Sequence, residues 1–547
     1  MKKASYKLLL IQPPVQDFYD TPIRLQPLGL AYLKAIVRRE LPDFEVTIKD
    51  FHHGRGRRPI PLPKELGYLK AYYAYPDKSP FCSFYHYYHF GASFDEIAAE
   101  VAAEQPDIVG ISSLFSAYSR EVIRCAEAIR QVCPATILVG GSHVSAAPEN
   151  VLRHKCVDFV IRGEGERPLV EFLRAWKDGG DYAEVPNLGL KREGEIVLTP
   201  MAANYSIDDL PLPDFSDFPP ERYVFERRPL CTIVTSRGCP HHCAFCSVHL
   251  TFGATYRRRS NEAILEEIAL RYAQGYRVFD FEDDNLTVRT AEMKALCEQL
   301  ITRFPEGDAQ FLAMNGLSYH SLDQELLGLM KRAGFTHLNL SLVTAESGIR
   351  RQANRPHSFA QYLEIVRFSA LFGFKIVSYH IFGLPDERLE SMLDSLAINA
   401  ELPVLIGASL FYMTPNMPMA SSFAEMTEED IFKARLTAMA HETPYVRRDD
   451  LFTLFVTARI LDFLKGLRFS TPSISFTDAL EAAEQNGGRA ALGAVLLRRL
   501  FDEKVLYAAV GKRFEAIHRF NAELFFRFWA RLHFIGTQNG GLITLMS

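Results

Sequence analysis

Three cysteines, Cys239, Cys243 and Cys246, lie close together near the middle of the chain, with the spacing Cys-x3-Cys-x2-Cys. This spacing lets three thiolates converge on one soft metal centre from a single loop. An ordinary iron–sulfur cube takes four thiolates, so three would leave one iron open to another ligand. Three cysteines can also hold zinc together with one histidine. The histidines near enough for that alternative are His241, His242 and His249.

The residues before the cysteines must position them. Residues 231–235, Cys-Thr-Ile-Val-Thr, predict a buried β-strand, so the cysteine loop follows a strand end, where α/β barrels keep their chemistry. With the aromatic Phe245 just before the last cysteine, the motif resembles the radical S-adenosylmethionine (SAM) superfamily. The resemblance implies a [4Fe–4S] cluster on Cys239, Cys243 and Cys246. Its open iron would be chelated by the amino and carboxylate groups of SAM, which the cluster cleaves to a 5′-deoxyadenosyl radical.

The first part of the chain, residues 1–180, alternates strand and helix patterns and predicts a doubly wound, Rossmann-like parallel sheet. Ligands of such sheets bind beyond the carboxyl ends of the strands. Several segments here resemble the cobalamin-binding domain that precedes the barrel in many radical SAM enzymes. They are residues 26–33, 106–112, 139–143 and 162–166.

This second resemblance implies a cobalamin site at Ser112, Gly140, Gly141 and Ser142. The residue types suit the role, because the two glycines permit close backbone approach to a nucleotide tail and Ser112 can donate a hydrogen bond. Cobalamin domains that ligate cobalt through histidine carry Asp-x-His-x-x-Gly. The nearest stretch, residues 50–56, has the wrong spacing and follows the second strand, so we expect no histidine on cobalt.

Residues 230–420 carry six strand–helix units and predict an open, partial (β/α)6 barrel. In the radical SAM superfamily the end of the second strand contacts the amino group of SAM, which the resemblance assigns to Glu282, Asp283 or Asp284. A carboxylate there can pair an ammonium, although an acidic turn that caps the next helix is the plainer alternative. Further cofactor contacts are implied at Ser341 and Gly383. The predicted strands are 231–235, 277–281, 310–314, 337–343, 375–381 and 408–412.

The fourth strand departs from the family pattern. Relatives usually end it with Gly-x-Glu-Ser, whereas residues 341–344 read Ser-Leu-Val-Thr and lack the glutamate. The remaining regions flank the two domains. Residues 181–229 are acidic and rich in proline and predict a linker, and residues 421–547 predict a helical domain. Its helices are expected at 449–467, 479–486, 489–500 and 514–534, the last either facing lipid or packed beneath the barrel.

Composition bounds the function classes. The chain has 547 residues, enough for about three to four domains. A net charge of −5 gives no reason to expect a nucleic-acid partner. Only three of the nine cysteines are clustered, so no disulfide framework is expected. There is no signal-peptide pattern and no apolar run of about 18 residues that could span a membrane. These features predict a cytoplasmic protein.

The sequence therefore predicts a radical SAM enzyme, most simply one that uses cobalamin to methylate an unactivated carbon. Relatives with both domains also catalyse cyclisation, rearrangement and carbon–carbon coupling, so these reactions stay open, as do an electron-carrying iron–sulfur protein and a zinc protein. The apolar, aromatic flanking regions favour a hydrophobic small-molecule substrate. An external electron donor such as flavodoxin or ferredoxin is implied by the family. No catalytic residue is singled out.

Overall fold

The computed structural model describes residues 5–21, 26–202, 205–423, 425–537 and 541–545. The first region alternates strands with helices, as its apolar runs between turn residues predict. Its elements are β1 Tyr6–Gln12, β2 Val15–Asp17, α1 Leu28–Glu40, β3 Phe44–Asp50, β4 Arg57–Pro59, β5 Tyr88–Phe90, α2 Phe94–Glu104, β6 Ile108–Ser112, α3 Ser119–Val132, β7 Thr136–Gly140, α4 Ser142–Ala146, α5 Pro148–Leu152, β8 Phe159–Ile161, α6 Glu166–Asp178, β9 Leu188–Arg192 and β10 Glu195–Leu198.

A seven-stranded sheet forms the centre of this region, in the order β10-β9-β8-β7-β6-β1-β3. Strands β3, β1, β6, β7 and β8 pair in parallel, and helices cover both faces. Strand β1 is buried on both sides because its residues Leu8, Leu9, Leu10 and Ile11 are all apolar. The predicted doubly wound sheet is confirmed. The strand order reverses between β1 and β6, and such crevices bind ligands.

Residues 188–198, which lie within the linker expected over 181–229, form strands instead. They add two antiparallel strands, β9 and β10, to the edge of the sheet. Two residues, Glu193 and Gly194, turn the chain with φ of 54° and 88°. Positive φ at both turn positions is the geometry of a tight β-hairpin. The hairpin is therefore part of the first sheet, and the extended connection begins after it.

The central region forms the barrel. Its elements are β11 Val224–Phe225, β12 Arg228–Ile233, β13 Ser236–Arg237, α7 Val248–Phe252, β14 Arg257–Arg258, α8 Asn261–Ala273, β15 Val278–Phe281, α9 Thr290–Arg303, β16 Gln310–Leu312, α10 Gln324–Ala333, β17 His337–Val343, α11 Ser347–Gln352, α12 Phe359–Leu371, β18 Lys375–Phe382, α13 Leu389–Glu401 and β19 Leu405–Leu410.

Six strands of this region, β12, β15, β16, β17, β18 and β19, run in parallel, as predicted. The last begins three residues before its predicted start. Between β16 and β17 only single bridges join the strands, Phe311 to Phe335 and Leu317 to Leu340. Phe279 and Phe281 of β15 stack on Phe311, and Phe311 in turn contacts Phe304 at the end of α9, so this face of the strand packs outward against the helices. The alternate residues of β15 must face the barrel interior.

The C-terminal region is mainly helical. Its elements are α14 Glu428–Phe432, α15 Arg448–Gly466, β20 Ser473–Ser475, α16 Phe476–Gln485, α17 Gly488–Glu503, β21 Tyr507–Val510, β22 Arg513–Ala516, α18 Ala522–Trp529, β23 Phe534–Gly536 and β24 Leu542–Thr544. The single helix predicted over 514–534 is wrong. That stretch contains the end of a hairpin, a short helix that Asn521 caps, and the start of a strand.

The C-terminal helices pack against the aromatic insertion of residues 51–92. Leu66, Leu69, Tyr72 and Tyr73 share one apolar core with residues of α15. Tyr72 and Tyr73 are therefore part of a structural core. Residues Phe525 and Phe528 of α18 are buried in the same core. In the described part of the chain, no helix has both the length and the apolar character that a membrane crossing requires.

Candidate functional site

The cysteine loop joins β13 to α7 at the carboxyl end of β12. Cys243 is buried, and Cys239 and Cys246 are half-buried. Burial raises the pKa of the Cys246 thiol to about 11, and the nearby sulfurs of Cys243 and Cys239 also raise it. Burial likewise raises the pKa of Cys243. Such thiols become thiolates when a cationic metal centre compensates their charge, so the donor set suits an iron–sulfur cluster.

The neighbouring histidines are engaged with the loop itself. His249 lies within hydrogen-bond distance of two backbone carbonyls, with Nε2 2.9 Å from His241 O and Nδ1 3.3 Å from Gly253 O. His242 is exposed and stacks on His249. Among the described residues, no three His, Cys, Asp or Glu side chains form a group that could hold a single metal ion.

Two of the three acids after β15 hold the entrance of the cysteine loop. Asp283 accepts hydrogen bonds from Thr235, through Oγ1 at 2.7 Å and the backbone N at 3.2 Å, and from the Ser236 hydroxyl. Asp284 accepts from the backbone N of Gly238, the residue before the first cysteine, at 3.0 Å. These acids therefore lie on the cluster-bearing edge of the barrel, and Asp283 is fully committed to positioning the loop.

Glu282 is placed differently. It lies on the interior face of the barrel together with Asp280, since Phe279 and Phe281 face outward. Burial raises the pKa of Glu282 well above its ordinary value, and the Asp280 charge raises it further. A buried carboxylate in this position is stabilised by a cation. Of the three acids, Glu282 is the one that an ammonium group would suit best.

Two residues that sequence reasoning missed contact the cysteines. Asn285 lies with its amide Nδ2 3.8 Å from Cys239 Sγ. The guanidinium of Arg355 lies beside Cys243 and lowers the pKa of that thiol against the larger effect of burial. Arg355 also donates to Ser341, to Oγ at 3.3 Å and to the carbonyl at 3.2 Å. Ser341 and the cysteine loop are thus joined through one cation.

The end of β17 is irregular where the family's glutamate is missing. The register with β18 shifts between Ser341 and Val343, and Val343 has a φ of 73°. A left-handed β-branched residue is rare and tends to mark functional sites. Glu346, the nearest acid downstream, is exposed and caps α11 by accepting from Gly348 N. The buried carboxylate of this region is instead Glu387, which accepts from Thr344 Oγ1 at 2.6 Å.

Gly383, at the end of β18, adjoins an apolar wall beside the last cysteine. It has a φ of 86°, and an added Cβ would lie 3.0 Å from Leu451. The wall consists of Val343, Leu384, Phe411 and Met417, with Phe245 and several partly buried apolar side chains packed against it. The cysteine loop, Glu282, Ser341 and Gly383 all lie at the carboxyl ends of barrel strands, where parallel barrels bind their ligands.

The residues predicted to bind cobalamin meet at one edge of the first sheet. Ser112 and Gly140 are opposite each other in register, and Gly141 and Ser142 follow directly. The tight approach here is between two loops, because a Cβ on Gly141 would lie 2.5 Å from the Ser113 carbonyl oxygen. Within the described chain, the buried Ser113 hydroxyl has no hydrogen-bond partner. A polar ligand group would satisfy it.

Exposed apolar side chains extend this edge. Leu114 and Phe115, which follow β6, are 44% and 43% exposed. We call these two residues the apolar rim. The edge thus combines an unsatisfied hydroxyl, closely packed glycine loops and an apolar surface, and these features fit a large amphipathic cofactor such as cobalamin. His53, one of the histidines in residues 50–56, makes its contacts elsewhere. Its Nε2 lies 2.9 Å from the Arg222 carbonyl oxygen, and its ring stacks on Tyr223.

The two edges face each other. Asn416, in the loop after β19, donates to the Ala146 carbonyl at the end of α4, at 2.7 Å. Helix α4 also packs beside α7, which follows the cysteines. The carboxyl ends of both sets of strands therefore border one shared space between the two domains.

Two family models match the chain. The radical SAM superfamily model covers residues 233–397, and the B12 binding domain model covers residues 85–173. The chain is 26% identical to an uncharacterized methyltransferase of Pyrococcus horikoshii over 407 residues, which is 73% of this chain and 78% of that protein. It is also 26% identical to the cytidylyl-2-hydroxyethylphosphonate methyltransferase of Streptomyces wedmorensis over 454 residues, 75% of this chain and 79% of that protein.

Among solved structures, the cobalamin-dependent SAM radical enzyme OxsB superposes with a TM-score of 0.63 at 15% identity. The match covers 98% of this chain and 77% of the OxsB chain. At this identity the likeness shows the fold alone. It extends over the first sheet, the barrel and the C-terminal region together, which confirms the predicted order of a Rossmann-like domain, a barrel and a mainly helical C-terminal region.

Proposed function

Since the chain belongs to the radical SAM superfamily and carries a B12-binding domain, we propose that it transfers a methyl group to an unactivated carbon of a small molecule. The observation that carries this proposal is that the edge with the cysteines and the edge with Ser112 and Gly140 border one space. A substrate in that space can be reached from both cofactors. The methyltransferase relatives, at 26% identity, support the same reaction class.

The cofactors are a [4Fe–4S] cluster, SAM and cobalamin. When bound, the cluster supplies the electron that cleaves SAM to a 5′-deoxyadenosyl radical, and cobalamin supplies the methyl group. Cys239, Cys243 and Cys246 hold the cluster, while Asp283 and Asp284 fix the loop that carries them. Catalysis of this kind depends on positioning, because small displacements of the reacting atoms cost large factors in rate.

The barrel residues orient SAM. Glu282 accepts its ammonium group, since a buried carboxylate and an ammonium relieve each other's desolvation. Ser341 and the Gly383 turn would hold the rest of the cofactor, with Arg355 beside Ser341 as a cation for the carboxylate. The apolar wall of Val343, Leu384, Phe411 and Met417 excludes water next to the last cysteine.

The substrate is apolar and reaches the space between the domains. An exposed aromatic side chain supports this, namely Tyr412, which follows β19 and is 38% exposed. The electron comes from an external donor such as flavodoxin or ferredoxin. The protein works in the cytoplasm, where reducing conditions keep the half-buried Cys239 and Cys246 free for the cluster.

Labelled SAM tests the reaction class. The reconstituted enzyme is incubated with a reductant, an extract of small metabolites and SAM that carries a trideuteromethyl group. Methyl transfer predicts a metabolite that gains the label, with both 5′-deoxyadenosine and S-adenosylhomocysteine as coproducts. If 5′-deoxyadenosine accumulates with substrate turnover while no label is transferred and no S-adenosylhomocysteine forms, the enzyme is a cyclase or rearrangement enzyme instead.

A further inference from the structure

A network of buried ion pairs crosses from the first domain to the cysteine loop. Arg237 belongs to β13, two residues before Cys239. Its Nη1 lies 3.0 Å from Glu164 Oε2 and its Nη2 lies 2.5 Å from Glu166 Oε1. All three side chains are less than a tenth exposed. The two glutamates follow β8 at the edge that carries the cobalamin loops, so the contact spans the two cofactor sites.

A second arm closes the network. Arg257 of β14, which pairs with β13, forms an ion pair with Glu164 and donates to the Tyr205 carbonyl at 2.9 Å. The Tyr205 hydroxyl in turn donates to Glu166 Oε2 at 2.7 Å. Each glutamate therefore has two partners, and they lie on both the barrel and the segment that connects the domains. We call these five residues the interdomain clamp.

The composition of the clamp favours orientation over stability. Its two arginines and two glutamates balance in charge, and although burial opposes ionisation, Arg237 holds the pKa of Glu166 below its ordinary value. Removing charges from water is costly, and apolar residues of similar size often stabilise a fold as well or better. The planar guanidinium of arginine, however, permits few relative orientations of its carboxylate partners. Such a pair fixes direction as well as distance.

We propose that Arg237, Glu164 and Glu166 are positioning residues that hold the cobalamin domain in register with the cluster loop and so set the separation of the two cofactors. The inference rests on the presence of both cofactors and not on methyl transfer. Glu164 and Glu166 act through Arg237 on the backbone that leads to Cys239. An error of about 1 Å in such a separation can cost about a hundredfold in rate.

The separation can be measured without substrate. Cobalamin as cob(II)alamin and the reduced cluster each carry one unpaired electron, so their dipolar coupling in pulsed electron paramagnetic resonance reports a distance distribution. In the full-length holoenzyme, Glu166→Gln keeps the size of the side chain and removes its charge. We expect unchanged iron and cobalamin contents and a distribution about twofold broader, because one half of the Arg237 fork is lost.

A matched control distinguishes a change in the relative position of the two domains from a general effect of removing a buried charge. Glu267 of α8 is buried as completely as Glu166 and pairs with Arg259, but both of these residues belong to the barrel. Glu267→Gln should leave the width of the distribution unchanged. The proposal is overturned if Glu166→Gln has the wild-type width, or if the two variants broaden the distribution equally.

A second variant decides the matter if Glu166→Gln protein does not fold or loses cobalamin. Tyr205→Phe removes one hydrogen bond to Glu166 and keeps all four charges. We expect a distance distribution broader than that of the wild type, with unchanged iron and cobalamin contents. A Tyr205→Phe holoenzyme with wild-type width would overturn the proposal. Failure of methyl transfer alone, with the separation intact in the wild type, would count against the proposed function and not against the clamp.

Discussion

At the scale of single residues, Cys243 gives the clearest test of the cluster. It is the most buried of the three loop cysteines. Cys243→Ala should leave the protein folded but unable to hold about four irons per chain, because two thiolates do not anchor a cube. Iron and sulfide analysis after anaerobic reconstitution measures this, with circular dichroism for the fold. Cys297→Ala is the control, as Cys297 is buried on α9 outside the loop. Equal iron in both variants would refute the assignment.

Glu282 carries the second prediction. If it pairs the ammonium of SAM, Glu282→Gln should weaken SAM binding about tenfold or more, since a charge-assisted hydrogen bond contributes roughly 1.5–3 kcal/mol. Calorimetric titration of the cluster-loaded protein gives the affinity, and the cluster spectrum should stay unchanged. Asp283→Asn provides the contrast. Because Asp283 holds Thr235 and Ser236, its loss should impair cluster assembly first. Wild-type SAM affinity in Glu282→Gln would remove Glu282 from the site.

Residue spacing in the sequence predicts the cysteine ligands of the cluster better than it predicts the residues that contact the cysteine loop. The cysteine triplet is a local pattern, so one stretch of sequence suffices to find it. The three acids after β15 were also found, but only burial and hydrogen bonding show that Asp283 holds the loop while Glu282 faces the interior. Arg355 was missed because its contact with Cys243 joins segments that are distant in sequence. For Asn285 the signal was available, as it directly follows the acids.

At the scale of elements, the loop after β18 carries a pH-dependent carboxyl. Burial raises the pKa of Glu387 from 4.5 to about 7. The folded state therefore holds this proton more tightly than the unfolded state. Its contribution to the free energy of unfolding is complete below about pH 4.5 and is lost as the pH rises to about 7, a change of about 3 kcal/mol.

Glu387→Gln should consequently lose less stability than the wild type between pH 5 and pH 8. Urea unfolding of the metal-free protein at both pH values measures the difference, and subtracting the two proteins removes the other titrating groups. Glu346→Gln is the control, since Glu346 lies in the neighbouring loop and is exposed. A wild-type pH dependence in Glu387→Gln would show that this carboxyl is not the origin.

The elements themselves follow from local patterns where burial is continuous. The parallel strands are short apolar runs between turn residues, and these runs predict both the first sheet and the strands of the barrel. The hairpin at residues 188–198 was assigned to a linker because its edge strands are half exposed and bury little apolar surface. The aromatic residues before residue 534 have helical periodicity, which predicts one helix over 514–534. Residues Phe534–Gly536 form β23 instead, because they pair with β24. Pairing of that kind is a tertiary interaction that periodicity does not encode.

At the scale of the whole molecule, the two domains present their carboxyl edges to one shared space, and the apolar rim follows β6 at the first of these edges. Leu114 and Phe115 would lose exposed surface to a bound corrin ring. Leu114→Ser combined with Phe115→Ser should therefore weaken cobalamin retention about tenfold, since burial of each apolar side chain contributes about 1–2 kcal/mol and part of it is lost. Spectrophotometric titration of the folded apoprotein with cobalamin gives the affinity.

The control for this prediction is Leu371→Ser. Leu371 ends α12 and is 73% exposed, the largest exposed fraction of any bulky apolar side chain in the described chain. Its replacement should leave cobalamin affinity unchanged, because an exposed apolar side chain contributes to binding only where the cofactor covers it, and Leu371 lies outside the rim. If the rim variant retains cobalamin as tightly as the wild type, the cofactor does not cover Leu114 and Phe115.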